Sequence, residues 1–361
     1  MRSTNRNILA GFAICALLTL VFWGVGTSAQ QSTVPPPLKS PSAVPTPPVI
    51  DDSDDIIEID TEVVNVLFTA QDTKKKLVTS LQQGDVKILE NGKEQEIVAF
   101  TRKIDLPLSL SILIDTSLSQ IRTLPDEKEA AKSFLESVVR PTKDEVAVIS
   151  FAGEATLEQG MTNNMNRLRR AIDNVAFAPP AGYVGGGVVA GTPPASGKSQ
   201  EVSQSTAIWD AVWITSDEIL GPAPEGTRRA IILLTDGANT YGKKKLDEAI
   251  DAAQKADAVI YSIGIGDNYY YGVDKSALKK ISENTGGKAY FPRDEMELRS
   301  AFGEIQEEMR SQYLLVYAPS DQNRDGSFRR IQIQLTNPAL QKDKIKLTHR
   351  DGYFAKTAGT K

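Results

Sequence analysis

The feature that most constrains this chain is residues 108–120, LSLSILIDTSLSQ, where an apolar run stops at Asp115 and gives way to hydroxyls at Thr116, Ser117 and Ser119. Leu110, Ile112, Leu113 and Ile114 read as a buried strand. In open α/β sheets, ligands bind beyond the carboxyl ends of the strands. Oxygen donors on a tight loop suit a hard cation such as Mg2+. Ser and Asp are also ordinary turn and N-cap residues, so this loop alone leaves both readings open.

Two later stretches bear on the choice. RAIILLTDGAN, residues 229–239, is a second apolar strand running into Asp236 and Gly237. Before it, SQSTAIWDAVW puts Thr206 at the start of a helical pattern formed by Ala207, Ile208, Ala211, Val212 and Ile214. In this order the three pieces resemble the metal-ion-dependent adhesion site of von Willebrand factor A domains, over residues 105–311. The resemblance implies that Ser117, Ser119 and Thr206 present hydroxyls to a Mg2+ or Mn2+ ion. It implies that Asp115 and Asp236 approach the ion directly or through water, and that one position stays open for a partner's carboxylate. The chain departs from the pattern at Leu118, where the family has Gly, and at Gln120, where it has a small residue or Met. Neither is a ligand, so metal binding is expected to persist on a stiffer loop.

The organisation of the chain follows from pattern switches. Residues 56–104 carry β signals: VVNVLFTAQD alternates, KKKLVTSL continues it, and DVKILENGKEQEIVAF places Asn91-Gly92 between two strand-like runs, a hairpin signal. Strands at 108–115, 145–152, 155–160, 229–235, 258–265 and 288–291 alternate with helices at 125–139, 164–175, 243–256, 274–284 and 294–312. That alternation predicts a doubly wound, mostly parallel sheet covered on both faces. Residues 312–355 return to β patterns in QYLLVYAP, FRRIQIQL and DKIKLTHR. The N-terminal strands are too few to stand alone, so they are expected to pair with the C-terminal ones in a small Ig-like β-sandwich, with the α/β unit of residues 105–311 inserted between. This order of parts, with Gln312-Tyr313 and the ending Arg350-Asp351-Gly352-Tyr353, resembles the acidobacterial-type proteins related to von Willebrand A domains.

The N-terminus sets the compartment. Residues 1–29 have a basic start, an apolar run from 8 to 25 and small residues at Thr27-Ser28-Ala29, and read as a secretory signal peptide with an uncleaved membrane anchor as the alternative. Residues 30–55 are a Pro/Ser-rich and then acidic linker, and 356–361 a short tail. The sole cysteine, Cys15, lies inside the apolar run, so disulfides and thiolate metal sites are excluded once it is removed. The one histidine, His349, falls in a strand-like stretch and rules out multi-histidine zinc sites. The formal charge is −5, and −7 without residues 1–29 with their Arg2 and Arg6. This argues against nucleic acid as the partner.

Other motifs carry less. GTPPASGKS, residues 191–199, fails the phosphate-loop spacing and contains Pro193 and Pro194. The Gly/Pro/Ser-rich loop 179–205, with Tyr183, is expected to border the metal site or to be disordered. Asp321, Asn323 and Asp325 match the first half of a calcium loop, but Gln332 stands where its last carboxylate belongs. A hairpin turn is the preferred reading there, with Ca2+ the alternative. Tyr269, Tyr270 and Tyr271 are read as a contact patch or as loop packing, and Trp209 and Trp213 as core or near-core residues.

The expected function is an exported, metal-dependent protein-binding or adhesion module that captures an acidic group of a protein partner. It makes no use of nucleic acid and touches a membrane only through residues 1–29 if these stay uncleaved. The rivals are an envelope or matrix scaffold with a degenerate metal site, and a metal-dependent hydrolase. The hydrolase lacks a nucleophile–base pair in the sequence, and the expectation is that the chain is not an enzyme.

Overall fold

The computed structural model describes residues 63–102, 105–120, 122–177, 183–184, 187–188, 205–266 and 273–357. The readings of the signal peptide, the linker, GTPPASGKS, Tyr183 and Tyr269–Tyr271 lie outside the described residues or their described side chains. Among the described residues, no helix is long and apolar enough to cross a membrane.

The first strands are β1 (Val64–Gln71), β2 (Val86–Glu90), β3 (Lys93–Gln95) and β4 (Ile97–Thr101). Asn91 and Gly92, both at positive φ (48° and 84°), turn β2 into β3. This is the two-residue turn whose twist matches paired strands. KKKLVTSL does not form the expected strand. Asp72 Oδ1 accepts from the backbone N–H of Lys74 and Lys76, curling the chain into a turn that puts Lys75 at φ 64°. Beyond it, Leu77 makes one isolated bridge to Gln71, and the Tyr313 hydroxyl donates to Val78 O and accepts from Leu81 N–H. Local Asp chemistry and a tertiary tyrosine therefore take the backbone groups a strand would have used.

The α/β unit follows, with β5 (Leu108–Asp115), α1 (Leu124–Val138), β6 (Glu145–Phe151), β7 (Ala155–Thr162), α2 (Met165–Asn174), the short ribbon β8 (Tyr183–Val184) and β9 (Gly187–Val188), and α3 (Ile208–Ile214). It continues with β10 (Arg228–Thr235), α4 (Leu246–Lys255), β11 (Ala258–Gly264), α5 (Lys275–Asn284), β12 (Ala289–Tyr290) and α6 (Glu295–Arg310). The sheet order is β12-β11-β10-β5-β6-β7, parallel except for the edge strand β7. Every residue of β5, at the centre, is buried. Alternation splits its side chains: Leu110, Ile112 and Ile114 join the core under α1, α2 and α6, while Leu113 joins that under α3, α4 and α5. One feature is not legible in the sequence pattern. After α3 the helix widens into a π turn at Thr215–Leu220, where Gly221 N–H reaches Ser216 O at 2.9 Å.

The chain closes with β13 (Tyr313–Tyr317), β14 (Phe328–Leu335), α7 (Pro338–Lys342), β15 (Lys346–His349) and β16 (Gly352–Phe354). Two antiparallel sheets, β15-β1-β13-β4 and β16-β14-β2-β3, share one core that includes Val66, Phe68, Ile88, Leu315 and Ile331. Both sheets mix strands from the two ends of the chain. Among the described residues β1 pairs with β13 and β15 and with no N-terminal strand, so there the N-terminal strands alone hold only the β2–β3 hairpin. At the centre of this sandwich, buried Glu90 accepts from Tyr317 Oη at 2.6 Å and Tyr353 Oη at 2.9 Å, with Arg329 Nη1 3.6 Å away.

Candidate metal site

Asp115 is the last residue of β5. Its neighbour Thr116 is pinned through both N–H and hydroxyl to Phe151 O at the end of β6. The chain then folds back, with Ser117 N–H donating to Asp115 Oδ1 at 2.9 Å. This Asx-type turn brings Ser117 Oγ and Ser119 Oγ to 3.0 Å. Gln120, at the position that departs from the resemblance, is fully buried. Its amide donates to Ile265 O at 2.8 Å and its carbonyl accepts from Thr123 Oγ1 at 2.7 Å. The buried Gln120 amide thus ties this loop to the end of β11 and to the residue before α1.

The second carboxylate comes from the adjacent strand. Thr235, last in β10, donates from Oγ1 to Asp115 Oδ2 and accepts from Gly237 N–H at 3.1 Å. Asp236, 3 % exposed, accepts from Ala238 N–H at 2.9 Å. Gly237 has φ +81°, and a Cβ there would lie 3.0 Å from the Leu278 side chain and 3.1 Å from Asp274 O, so glycine is required.

Thr206 arrives on the segment leading into α3, whose N-cap is Ala207. Ala207 N–H donates to Ala152 O just beyond β6. Thr206 N–H donates to Thr240 Oγ1, and Thr206 O accepts from the N–H of Thr240 and Tyr241. Asp210 extends the clasp, accepting from the N–H of Lys243 and Lys244. Gly242 (φ +112°) permits this approach, since a Cβ would sit 2.0 Å from Asp210 Oδ2. The structure thus brings Asp115, Ser117, Ser119 and Asp236 together at the carboxyl ends of β5 and β10, and ties the Thr206 segment to the loop that follows Asp236.

Burial raises the Asp115 carboxyl to about 7. The Asp236 charge adds to this, while hydrogen bonds from Ser117 and Thr235 pull the other way. Glu127 of α1, also fully buried, is pushed up to about 8 by burial, with the charges of Asp115 and Asp236 contributing. The Thr123 hydroxyl beside it pulls the Glu127 carboxyl back down, but that hydroxyl donates to Gln120 Oε1, and neither Glu127 oxygen has a partner of good hydrogen-bond geometry. Among the described residues no three of His, Cys, Asp and Glu are grouped so that they could together hold a metal ion. The donor set is therefore two carboxylates and hydroxyls, all oxygen, with an electrostatic strain between the carboxylates that a dication relieves. An all-oxygen set of this kind fits a hard divalent ion. Thr235, Glu127 and Asp210 escaped the sequence reading, and Gln120 was read only as a departure from the resemblance, without its anchoring role. Thr235 and Gln120 left a trace as polar residues beside apolar runs, but Glu127 looks like any charged helix residue.

The hairpin-turn reading of the Asp321, Asn323 and Asp325 segment is corrected. β13 and β14 lie in different sheets, so residues 318–327 form a crossover and not a hairpin turn. The Arg329 guanidinium donates to Asp321 O and Asn323 O, and the Asp321 and Asp325 carboxylates accept backbone N–H groups of Asn323 and Ser327.

Residues 199–304 match the family model of the von Willebrand factor type A domain, a span holding Thr206 and Asp236 but starting after Asp115, Ser117 and Ser119. A UPF0353 protein of Mycobacterium avium is 26 % identical over 219 residues, which cover 55 % of this chain and 59 % of that protein. The chain therefore spans less than two thirds of that relative. Among solved structures, proximal thread matrix protein 1 from the mussel byssus, with a zinc-occupied MIDAS motif, is 20 % identical with a TM-score of 0.45. The match covers 61 % of this chain and 50 % of that one. An aerotolerance-related membrane protein from Bacteroides fragilis is 16 % identical with a TM-score of 0.41, covering 56 % of this chain and all of that one.

Proposed function

We propose that this chain, which carries a von Willebrand factor type A domain, is an exported protein-binding module. In this reading Asp115, Ser117, Ser119, Thr206 and Asp236 hold a Mg2+- or Mn2+-type ion, and the site takes an acidic group of a protein partner. The observation that carries it is the convergence of two buried carboxylates and the Ser117–Ser119 hydroxyl pair where β5 and β10 end. The bound ion supplies a coordination position that a partner carboxylate completes while cancelling charge. Ser117 N–H and Thr235 Oγ1 hold one oxygen each of Asp115, fixing the carboxylate before any ligand arrives. The clasp between Thr206 and residues 240–241 sets the third donor segment against the Asp236 loop. Tyr241, 45 % exposed in that loop, offers the partner an aromatic contact. Export rests on the reading of residues 1–29.

Binding is favoured over catalysis by where the remaining chemistry lies. His349 sits in the sandwich, its ring between Ile333 N–H and Arg350 O, and Glu127 is wholly enclosed. The test is capture of acidic peptides or proteins by the immobilised full chain with Mg2+, with chelator, and by Ser117→Ala/Ser119→Ala. Capture that chelator and the double substitution both abolish is expected. Capture indifferent to both would favour the scaffold reading instead.

A further inference from the structure

The chain's one histidine, His349, ends β15 in one sheet of the sandwich, and its half-buried ring reaches β14 in the other. On the side of β14 away from β2, β16 pairs only as far as Arg330. Beyond that point the backbone donors of β14 need other partners. Ile331 N–H donates to Asp351 O at 2.7 Å, and Ile333 N–H donates to His349 Nε2 at 3.2 Å. The imidazole thus stands in for a missing strand. A backbone N–H can only donate, so Nε2 is the unprotonated nitrogen. Nδ1, 2.7 Å from Arg350 O, therefore carries the proton. The ring is neutral and fixed in one tautomer.

The same segment ties the sandwich to the α/β unit. Asp351 N–H donates to Asn284 O at the end of α5, and Arg350 bridges to Thr285. The Arg350 guanidinium pairs with Asp257 and donates to Asn65 O of β1. Burial depresses the imidazole below its usual range. The Arg350 charge adds to this, while the Arg350 carbonyl and the Asp351 charge oppose it. Around these, Arg330 of β14 and Glu283 of α5 act on Asp351, and β1, paired alongside, carries no charged residue. A proton arriving at Nε2 would set one N–H against another and leave both donors unpaired.

We propose that His349 is an acid-operated latch: protonation at Nε2 expels the ring from β14 and releases residues 349–351, loosening the sandwich and its joint with the α/β unit. In the opened segment the imidazole returns to its ordinary value of 6.5, so the open form binds a proton that the closed form rejects. Closure is complete above that pH and weakens as pH falls below it.

The test is hydrogen exchange of the untagged full chain, corrected for the intrinsic pH dependence of exchange, beside the NMR titration of its single imidazole. The Nδ1–H tautomer is expected at pH 7.5, with protonation of the ring below 6.5. Protection of residues 331–333 and 349–351 is expected to fall about tenfold from pH 7.5 to pH 5, with the ring's own midpoint, while that of β5 stays unchanged. His349→Gln, whose amide oxygen accepts from Ile333 N–H without titrating, is expected to abolish the step. Asp351→Asn, which removes the other titrating group beside the ring, is expected to keep it at a lower pH. Should either variant fail to fold, the coincidence of midpoints in the wild type decides alone. An Nε2–H tautomer at pH 7.5, a ring titrating at or above 6.5, protection that does not change as the ring protonates, or a step retained in folded His349→Gln overturns the proposal.

Discussion

Thr235 Oγ1 donates to Asp115 Oδ2 at 2.5 Å, joining the last residues of the two adjacent strands that deliver the carboxylates. Asp115 is thus aimed by its neighbour strand and not only by its own loop. Replacing Thr235 with Val removes a charge-assisted bond worth about 1.5–3 kcal/mol. The variant is expected to fold, to lose stability of that order by denaturant titration, and to bind Mg2+ more weakly while keeping a saturable site. Unchanged stability and affinity would show that Asp115 needs no such support.

Burial sets a pH dependence. Glu308, near Tyr290 under α6, is raised from 4.5 to about 7 by burial, and its Oε1 is unpartnered. Between those values the folded chain keeps a proton the unfolded chain has lost. Stability from this group is therefore full below about 4.5 and falls as pH rises through 7. Glu308→Gln removes that fall. Its stability relative to wild type is expected to improve from pH 4.5 to pH 8, by up to about 3 kcal/mol. A difference that does not change with pH would contradict the assignment.

The Glu90 network joins β2 to three C-terminal strands, through Tyr317 on β13, Arg329 on β14 and Tyr353 on β16. Glu90→Ala leaves Arg329, 3 % exposed, without its buried counter-charge. A loss of about 3–5 kcal/mol in sandwich stability is expected, read by denaturant unfolding. A loss below 1 kcal/mol, on the order of a surface pair, would mean the network is not holding the two ends together.

What the sequence revealed follows the range of the interactions. β5 and β10 were legible because their cores are continuous apolar runs, and the Asn91-Gly92 turn because its positive φ values select those residues. The pairing of N- and C-terminal strands followed from the deficit of strands at either end alone. KKKLVTSL misled because its alternation is real, but Asp72 and Tyr313 outcompete strand pairing for its backbone. The crossover at 318–327 read as a hairpin because Asp and Gly mark a turn without saying which sheet the chain enters next. Glu127 and Asp210 were invisible because only the packed helix shows the first enclosed beside the carboxylates and the second gripping the loop after Asp236.

The most direct test of the metal-site account is calorimetric titration of Mg2+ and Mn2+ into the full chain beside Asp115→Ala and Asp236→Ala. Saturable one-site binding in wild type, lost in both folded variants, is the predicted result. Binding that persists in both variants would contradict the site, and no binding in wild type, with or without an acidic peptide present, would contradict the metal-dependent function.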